Sequence, residues 1–281
     1  MTRSARIPLY SRCVLHSRLL ARAFPFKPSP ILLLSYPRSG SSWAGAMLGR
    51  SPDVAYLREP VNQPYLAGVV KETVIDPESS GAVLRAYTRL ADRAFAGALP
   101  WRAEDFVERI DDFALGRRKH KVLLIKEVNP LATGFYVRTY RPRVVMILRH
   151  PAAVADSYER MGWLGGEFEE FGLRYGTHMA EALATGADEP IEVVRFEDLA
   201  IDPRGRFPAL FARLGLRLPS DFESAVKELC EADNDAPGAY DLARSSRHEA
   251  LKWECSLGRD EVAAVMRGYL RSPLPHYRDA D

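Results

Sequence analysis

The stretch Ile31 to Trp43, ILLLSYPRSGSSW, constrains this chain more than any other, because a buried-strand pattern runs straight into a glycine-bearing turn and a helix start. The apolar run ends at Tyr36-Pro37. Arg38-Ser39-Gly40-Ser41-Ser42 then gathers a guanidinium, hydroxyls and free backbone N–H groups in one place. A helix opening near Ser41 points its unpaired N–H groups and positive dipole end at the same spot, which is the physics of an anion site. A nucleoside-triphosphate loop of the form GxxxxGK[ST] would need a Gly-Lys-Ser/Thr run, and the sequence has none.

Further apolar runs rich in Val, Ile and Leu recur at Val122–Ile125, Val144–Leu148 and Ile191–Phe196, each followed by a turn and a helical period. That is the pattern of parallel strands buried on both faces. Val54–Leu57 adds a shorter run. Between them, residues 82–98 set Val83, Leu84, Tyr87, Leu90, Ala94 and Phe95 at helical spacing, and 104–115 repeat the pattern, so both are expected as helices. Asp202-Pro203 is a helix start, with the aspartate as N-cap and the proline at the first helical position, and Gly215 stops that helix. Residues 261–270 read as a final helix, and Asn234 to Tyr240 as a loop. The sum is an α/β fold: a single domain with a parallel sheet flanked by helices.

The formal charge of +2 gives no reason to expect nucleic acid, but Met1 to Pro30 carries Arg3, Arg6, Arg12, Arg18, Arg22 and Lys27 and no acid. This arm admits two readings. It is either a transit or surface-docking segment, able to touch a membrane peripherally, or a short helix packed on the domain edge or frayed from it. Three widely spaced cysteines, Cys13, Cys230 and Cys255, with no CxxC pair, argue against a disulfide framework or a zinc site. No apolar run is long enough to span a bilayer and no secretory h-region is present, so the expected location is cytoplasmic.

YPRSGSSW resembles the 5′-phosphosulfate loop of sulfotransferases that use 3′-phosphoadenosine 5′-phosphosulfate (PAPS). Val144 to Ser157, VVMILRHPAAVADS, is similar to the same family's 3′-phosphate segment, with Arg149 at the strand end and Ser157 on the following helix. VVRFEDLAIDP (Val193 to Pro203) and RSSRHEALKW (Arg244 to Trp253) resemble its third strand-and-turn motif and its late nucleotide-clamping loop. The resemblance implies a P-loop-NTPase-like sulfotransferase fold over residues 30–281, preceded by the basic arm 1–29. It also implies two separate pockets for the two charged ends of PAPS, and no metal. Residues 60–118, which the nucleotide motifs leave unclaimed, are expected as a helical acceptor-binding insertion. The acceptor expected is a small-molecule or glycan hydroxyl, or an amine.

Sulfonate transfer needs a base for the acceptor proton, cations over the leaving phosphate and an in-line arrangement. The resemblance puts Arg38, where many relatives have lysine, on the 5′-phosphate and bridging oxygen. Ser39, Gly40, Ser41 and Ser42 supply further donors. Lys126, at the end of its strand, either reaches the sulfonate or is a solvated strand-end lysine. Relatives acting on phenols and steroids carry a histidine two residues after that lysine, where this chain has Val128. Glu59 in LREPVN then becomes the candidate base, with an ion pair to Arg38 or near Arg58 as its competing role; Glu127 and His150 stand in reserve, and His120 is expected exposed. Trp43 is either an adenine-stacking or a core residue. Phe196 holds the family's aromatic position, Arg149 and Ser157 are expected on the 3′-phosphate, and Ser246 and Arg247 should close over it, with Trp253 anchoring their loop. The rival readings are a P-loop-like phosphotransferase or kinase, and a nucleotide-binding module without turnover.

Overall fold

A computed structural model describes residues 16–62, 68–70, 72–99, 103–185, 190–232 and 241–278. Five strands, β1 (Ile31–Ser35), β2 (Val54–Arg58), β3 (Val122–Glu127), β4 (Arg143–Leu148) and β5 (Glu192–Arg195), form one parallel sheet in the order β2-β3-β1-β4-β5. Alternate residues of each strand enter opposite cores: Leu32, Leu34, Leu57, Ile125 and Met146 on one side, and Ile31, Leu33, Leu124, Val145 and Ile147 on the other. Both faces are covered, which is why the strands read as continuous apolar runs.

The described helices are α1 (Arg18–Ala23), α2 (Ser41–Gly49), α3 (Gly81–Phe95), α4 (Leu115–Arg118), α5 (Thr133–Tyr140), α6 (Pro151–Arg160) and α7 (Phe168–Ala184), then α8 (Phe196–Ile201), α9 (Pro203–Arg213), α10 (Phe222–Cys230), α11 (Ser246–Leu251), α12 (Trp253–Ser256) and α13 (Arg259–Leu270). Trp43 and Met47 of α2 share one core with Phe207 and Phe211 of α9 and Leu229 of α10. Tyr87 of α3, Tyr136 of α5, Phe171 of α7 and Tyr269 of α13 fill the other. The chain thus leaves β1 over one face, through α2, and leaves β3 and β4 over the opposite face, through α5 and α7. Connections that part in this way open a crevice at the carboxyl ends of the strands beside β1, where ligands bind in open α/β sheets.

Local signals read well at several element ends. The Asp202 side chain accepts from the Gly205 N–H at 3.0 Å at the start of α9, and Gly215 just beyond that helix has φ 64°. Phe196 opens α8 instead of closing β5. The helix expected over 104–115 is replaced by two 3-10 turns, Ala103–Asp105 and Ile110–Phe113. Tertiary contacts explain the difference. Arg109, between the turns, donates to the Gly49 and Ser51 carbonyls at the end of α2 and pairs with Asp112 at 2.8 Å, so the segment is drawn across a helix terminus. The loop expected at 234–240 and the first half of the basic arm lie outside the described residues. From Ser17 onward the arm packs on the domain: buried Arg118 donates to the Ala21 carbonyl at 3.3 Å and lies 4.3 Å over the Phe26 ring. No helix among the described residues is long and apolar enough to cross a membrane.

Candidate active site

The first loop is built by two left-handed residues. Arg38 (φ 69°) and Gly40 (φ 84°) fold it over the end of β1 so that α2 can start at Ser41. A Cβ at Gly40 would lie 2.3 Å from the Phe196 ring, so this position needs glycine for space as well as for backbone freedom. Gly40 has no side chain to cap α2, which leaves the helix's first N–H groups to a ligand. Ser35 donates its hydroxyl to Ser41 at 2.7 Å, fixing the turn to the strand below.

Beside this loop stands an ion pair with one buried and one half-buried member. β2 and β3 run in register with Arg58 opposite Lys126, so Glu59 emerges at the strand tip; its φ is 46° and its N–H donates to the Lys126 carbonyl at 2.7 Å. The Lys126 ammonium is bonded to Glu59 Oε1. Lys126 is 1% exposed and the Glu59 side chain 36%, so the carboxylate sits at the cavity wall with the ammonium behind it. Burial draws the Lys126 amine below its ordinary pKa, and the charge of Glu59 counters the effect. Lys126 is therefore no solvated strand-end lysine. The ion pair expected of Glu59 near Arg58 is thus present, with Lys126, the register partner of Arg58, as the cation; Arg58 itself donates to the Asp105 carbonyl at 3.1 Å.

The reserve bases are placed elsewhere. Glu127 is buried and accepts the Val61 N–H at 2.7 Å, and burial pushes its carboxyl up to about 8. His150 caps α6 by accepting the Ala152 N–H at 3.3 Å and stacks on Trp253 at 4.3 Å; burial pulls its pKa down to about 4. Neither lines the cavity. His120 is exposed.

Arg149 directly follows β4 and is buried, its ring neighbour Phe196 4.5 Å below the guanidinium. Its fork donates to the Arg38 carbonyl at 3.0 Å and the Glu249 carbonyl at 2.5 Å, tying the first loop to α11. Tyr175 of α7 fixes the backbone there, accepting the Arg149 N–H and donating to its carbonyl at 2.7 Å. Ser157, one helix away, accepts from Arg38 Nε at 2.9 Å. Residues expected at opposite ends of a nucleotide thus touch. Both sets of residues line the same cavity of about 590 Å³, together with Gly40, Ser41, Ser42, Glu59, Lys126, Phe196 and Ser246. The reason is spacing: β1 and β4 are adjacent strands about 4.8 Å apart, so the loops at their tips meet.

Trp43 borders this cavity but is held as a core residue, with its indole N–H on the Leu229 carbonyl at 2.8 Å and its ring edge-on to Phe196 and Phe207. Ser246 lines the cavity while its hydroxyl donates to the Ala200 carbonyl. Ser39 is buried behind the loop. Arg247 is exposed and outside the lining, and Arg244 stands there in its place. The choice between these two arginines depends on where α11 begins, and the Ser245 cap that decides it looks no different in sequence from its neighbours. Arg160 and Trp163 also line the cavity and were not anticipated; Arg160 could have been found as the residue three beyond Ser157 on one helix face.

The donor set suits a multiply anionic ligand. Besides the cations of the wall, Arg149 Nε is one of the buried polar atoms among the described residues that have no protein partner, and it is able to donate. Among solved structures, a sulfotransferase domain from the curacin biosynthetic pathway is 16% identical, covering 89% of this chain and 100% of that one with a TM-score of 0.49. A sulfotransferase domain of the Synechococcus PCC 7002 olefin synthase is also 16% identical, covering 86% and 96% with a TM-score of 0.48. A mouse sulfotransferase solved as its complex with PAP is 13% identical, covering 89% and 88% with a TM-score of 0.47. No curated protein matches the sequence. Likenesses this distant carry no chemistry across, and the assignment rests on the sulfotransferase family model, which matches residues 30–220. With that match covering more than half of its length, the chain belongs to the sulfotransferase family and is an enzyme of sulfonate transfer.

Proposed function

We propose that this sulfotransferase takes PAPS as donor and delivers the sulfonate to a hydroxyl of a small molecule or glycan, leaving 3′-phosphoadenosine 5′-phosphate. The observation that supports this most is the single cavity that joins the Arg38–Ser42 loop, Arg149 with Ser157, and the Lys126–Glu59 pair. When bound, PAPS supplies an activated sulfonate whose leaving group is a phosphate.

The chain's own residues would then act as follows. The N–H groups at the start of α2 and the Arg38 fork hold the 5′ end, with Ser41 and Ser42 adding hydroxyl donors and Ser39 backing the loop from behind. Arg149, Ser157 and Ser246 hold the 3′-phosphate, with Arg244 nearer than Arg247, and Phe196 and Trp43 give the base an apolar wall. The Lys126 ammonium opposes negative charge from a site where water cannot screen it. Glu59 accepts the hydroxyl proton at its carboxylate, which the Lys126 contact holds in one orientation. The acceptor lies against Asn62, Thr73, Asp105 and Phe106, the contribution of the 60–118 segment to the cavity. Free Cys230 and Cys255 fit a reducing, cytoplasmic setting.

The test is calorimetry with 3′-phosphoadenosine 5′-phosphate, followed by transfer of labelled sulfonate to candidate acceptors and a product mass increased by one sulfonate. Arg149→Ala should weaken 3′-phosphoadenosine 5′-phosphate far more than adenosine 5′-phosphosulfate. Equal losses would remove Arg149 from the 3′-phosphate, and absence of any binding heat to the wild-type protein would end the PAPS reading.

A further inference from the structure

The outer face of α1 inverts the usual pattern of a surface helix, which buries its apolar side. Its buried residue is Ala21, and Arg18 and Arg22 on the neighbouring flank reach Asp92 at 2.9 and 4.0 Å. At about 100° per residue the remaining face collects Leu19, Leu20 and Ala23, and Phe24 follows as the C-cap. All four are exposed, the large ones by 81%, 39% and 46%. Other exposed large hydrophobics among the described residues are scattered along the chain, which is ordinary. The helix cannot roll over to hide this face, since Arg118 holds the Ala21 carbonyl and Arg18 holds Asp92.

Exposed cations lie on the segments next to α1. Arg22 is half-exposed, Lys27 is exposed, and Arg117 and Lys119 are exposed on and after α4, a segment joined to the arm by the Lys27 N–H on the Lys121 carbonyl at 2.8 Å. The sequence has no acid before Asp53. Under α1 a second cavity of about 270 Å³ has Arg22, Lys27 and the carboxylate of Asp92 beside Phe26, Phe95 and Leu123, and Asp92 is already paired with Arg18 and Arg22.

We infer that α1 docks the enzyme on an anionic lipid bilayer, with Leu19, Leu20 and Phe24 entering the boundary between headgroups and acyl chains and Arg22, Lys27, Arg117 and Lys119 facing lipid phosphates. A second copy of the chain is the poorer occupant, because pairing two such faces brings their cationic rims together. The inference is independent of the donor and acceptor, so its failure leaves the sulfotransfer reading untouched.

Co-sedimentation of the full chain with equimolar phosphatidylcholine–phosphatidylserine vesicles, against pure phosphatidylcholine vesicles, tests it. Binding is expected to the anionic vesicles, and to fade as salt shortens the Debye length toward about 3 Å. The triple change Leu19→Ser, Leu20→Ser, Phe24→Ser, all at exposed positions, should abolish it, and Lys27→Gln should weaken it about fivefold. Far-UV circular dichroism and the urea midpoint should be the same in every variant, showing that they fold. Three outcomes would overturn the proposal: no binding of the wild type to anionic vesicles, binding that the triple variant retains, or a dimer in solution that the triple variant dissolves.

Discussion

Glu59 and Lys126 show how single residues carry the site. Glu59 is held at φ 46° at the tip of an edge strand, which carboxylate residues adopt at some strain, and the bond to buried Lys126 keeps its side chain in the cavity wall. Glu59→Gln keeps an acceptor for the ammonium and removes the ability to take a proton. Turnover is expected to fall about a hundredfold or more, with nucleotide affinity unchanged, and full activity in the variant would remove Glu59 as the base. Its neighbour Glu127 makes a separate, titratable contribution. Burial outweighs the Val61 N–H bond and raises the carboxyl from 4.5 to about 8, so the folded state keeps a proton that the unfolded chain has released. Stability should therefore fall as pH rises from about 4.5 through about 8, by up to roughly 1.4 kcal/mol per pH unit, and then level off. Glu127→Gln retains the acceptor for Val61 and should flatten that slope in urea titrations taken at several pH values; an unchanged slope would place the proton elsewhere.

Among the elements, the crossing of α7 and α13 sets the position of the site from behind. A Cβ at Gly268 would lie 1.8 Å from the Glu169 carbonyl oxygen, and one at Gly172 2.0 Å from that of Val265, so backbone rests on backbone with no side chain between. The closeness matters because α7 carries Tyr175, which clamps the backbone of Arg149 from both its N–H and its carbonyl. Gly268→Ala should lose about 1–3 kcal/mol in urea unfolding, since the obstructing atom is backbone and cannot swing aside. Unaltered stability would mean that α13 can lift away freely. The neighbouring elements also show what local sequence can and cannot declare. β1, β3 and β4 were legible because both faces are buried, and α9 because aspartate, proline and glycine punctuate it. The segment 104–115 was not, because its helical spacing yields to Arg109 reaching for the end of α2, a partner some 60 positions earlier.

Across the whole molecule, Arg118 joins the arm to the sheet. Fully buried, it donates to carbonyls of Ala21, Ala96 and Gly97, and burial pulls its pKa down to about 10, so it remains a cation at neutral pH. Arg118→Met would leave those carbonyls unpaired. A loss of at least about 2 kcal/mol is expected, together with faster limited proteolysis between Ser17 and Pro30; an arm as resistant as in the wild type would show that other contacts hold it.

What the sequence determined by itself was set by local physics: buried runs long enough to be strands, a glycine-bearing turn ahead of a helix start with unpaired N–H groups, and an arginine at a strand end. Those features place a parallel sheet and an anion loop without knowledge of distant neighbours. Only the tertiary structure decided that the two loops share one cavity, that Lys126 is the partner of Glu59, that Arg244 faces inward while Arg247 does not, and that α1 turns its apolar side out. Each of these depends on strand order and helix phase, which bring together residues dozens of positions apart, and no periodicity within one segment records them.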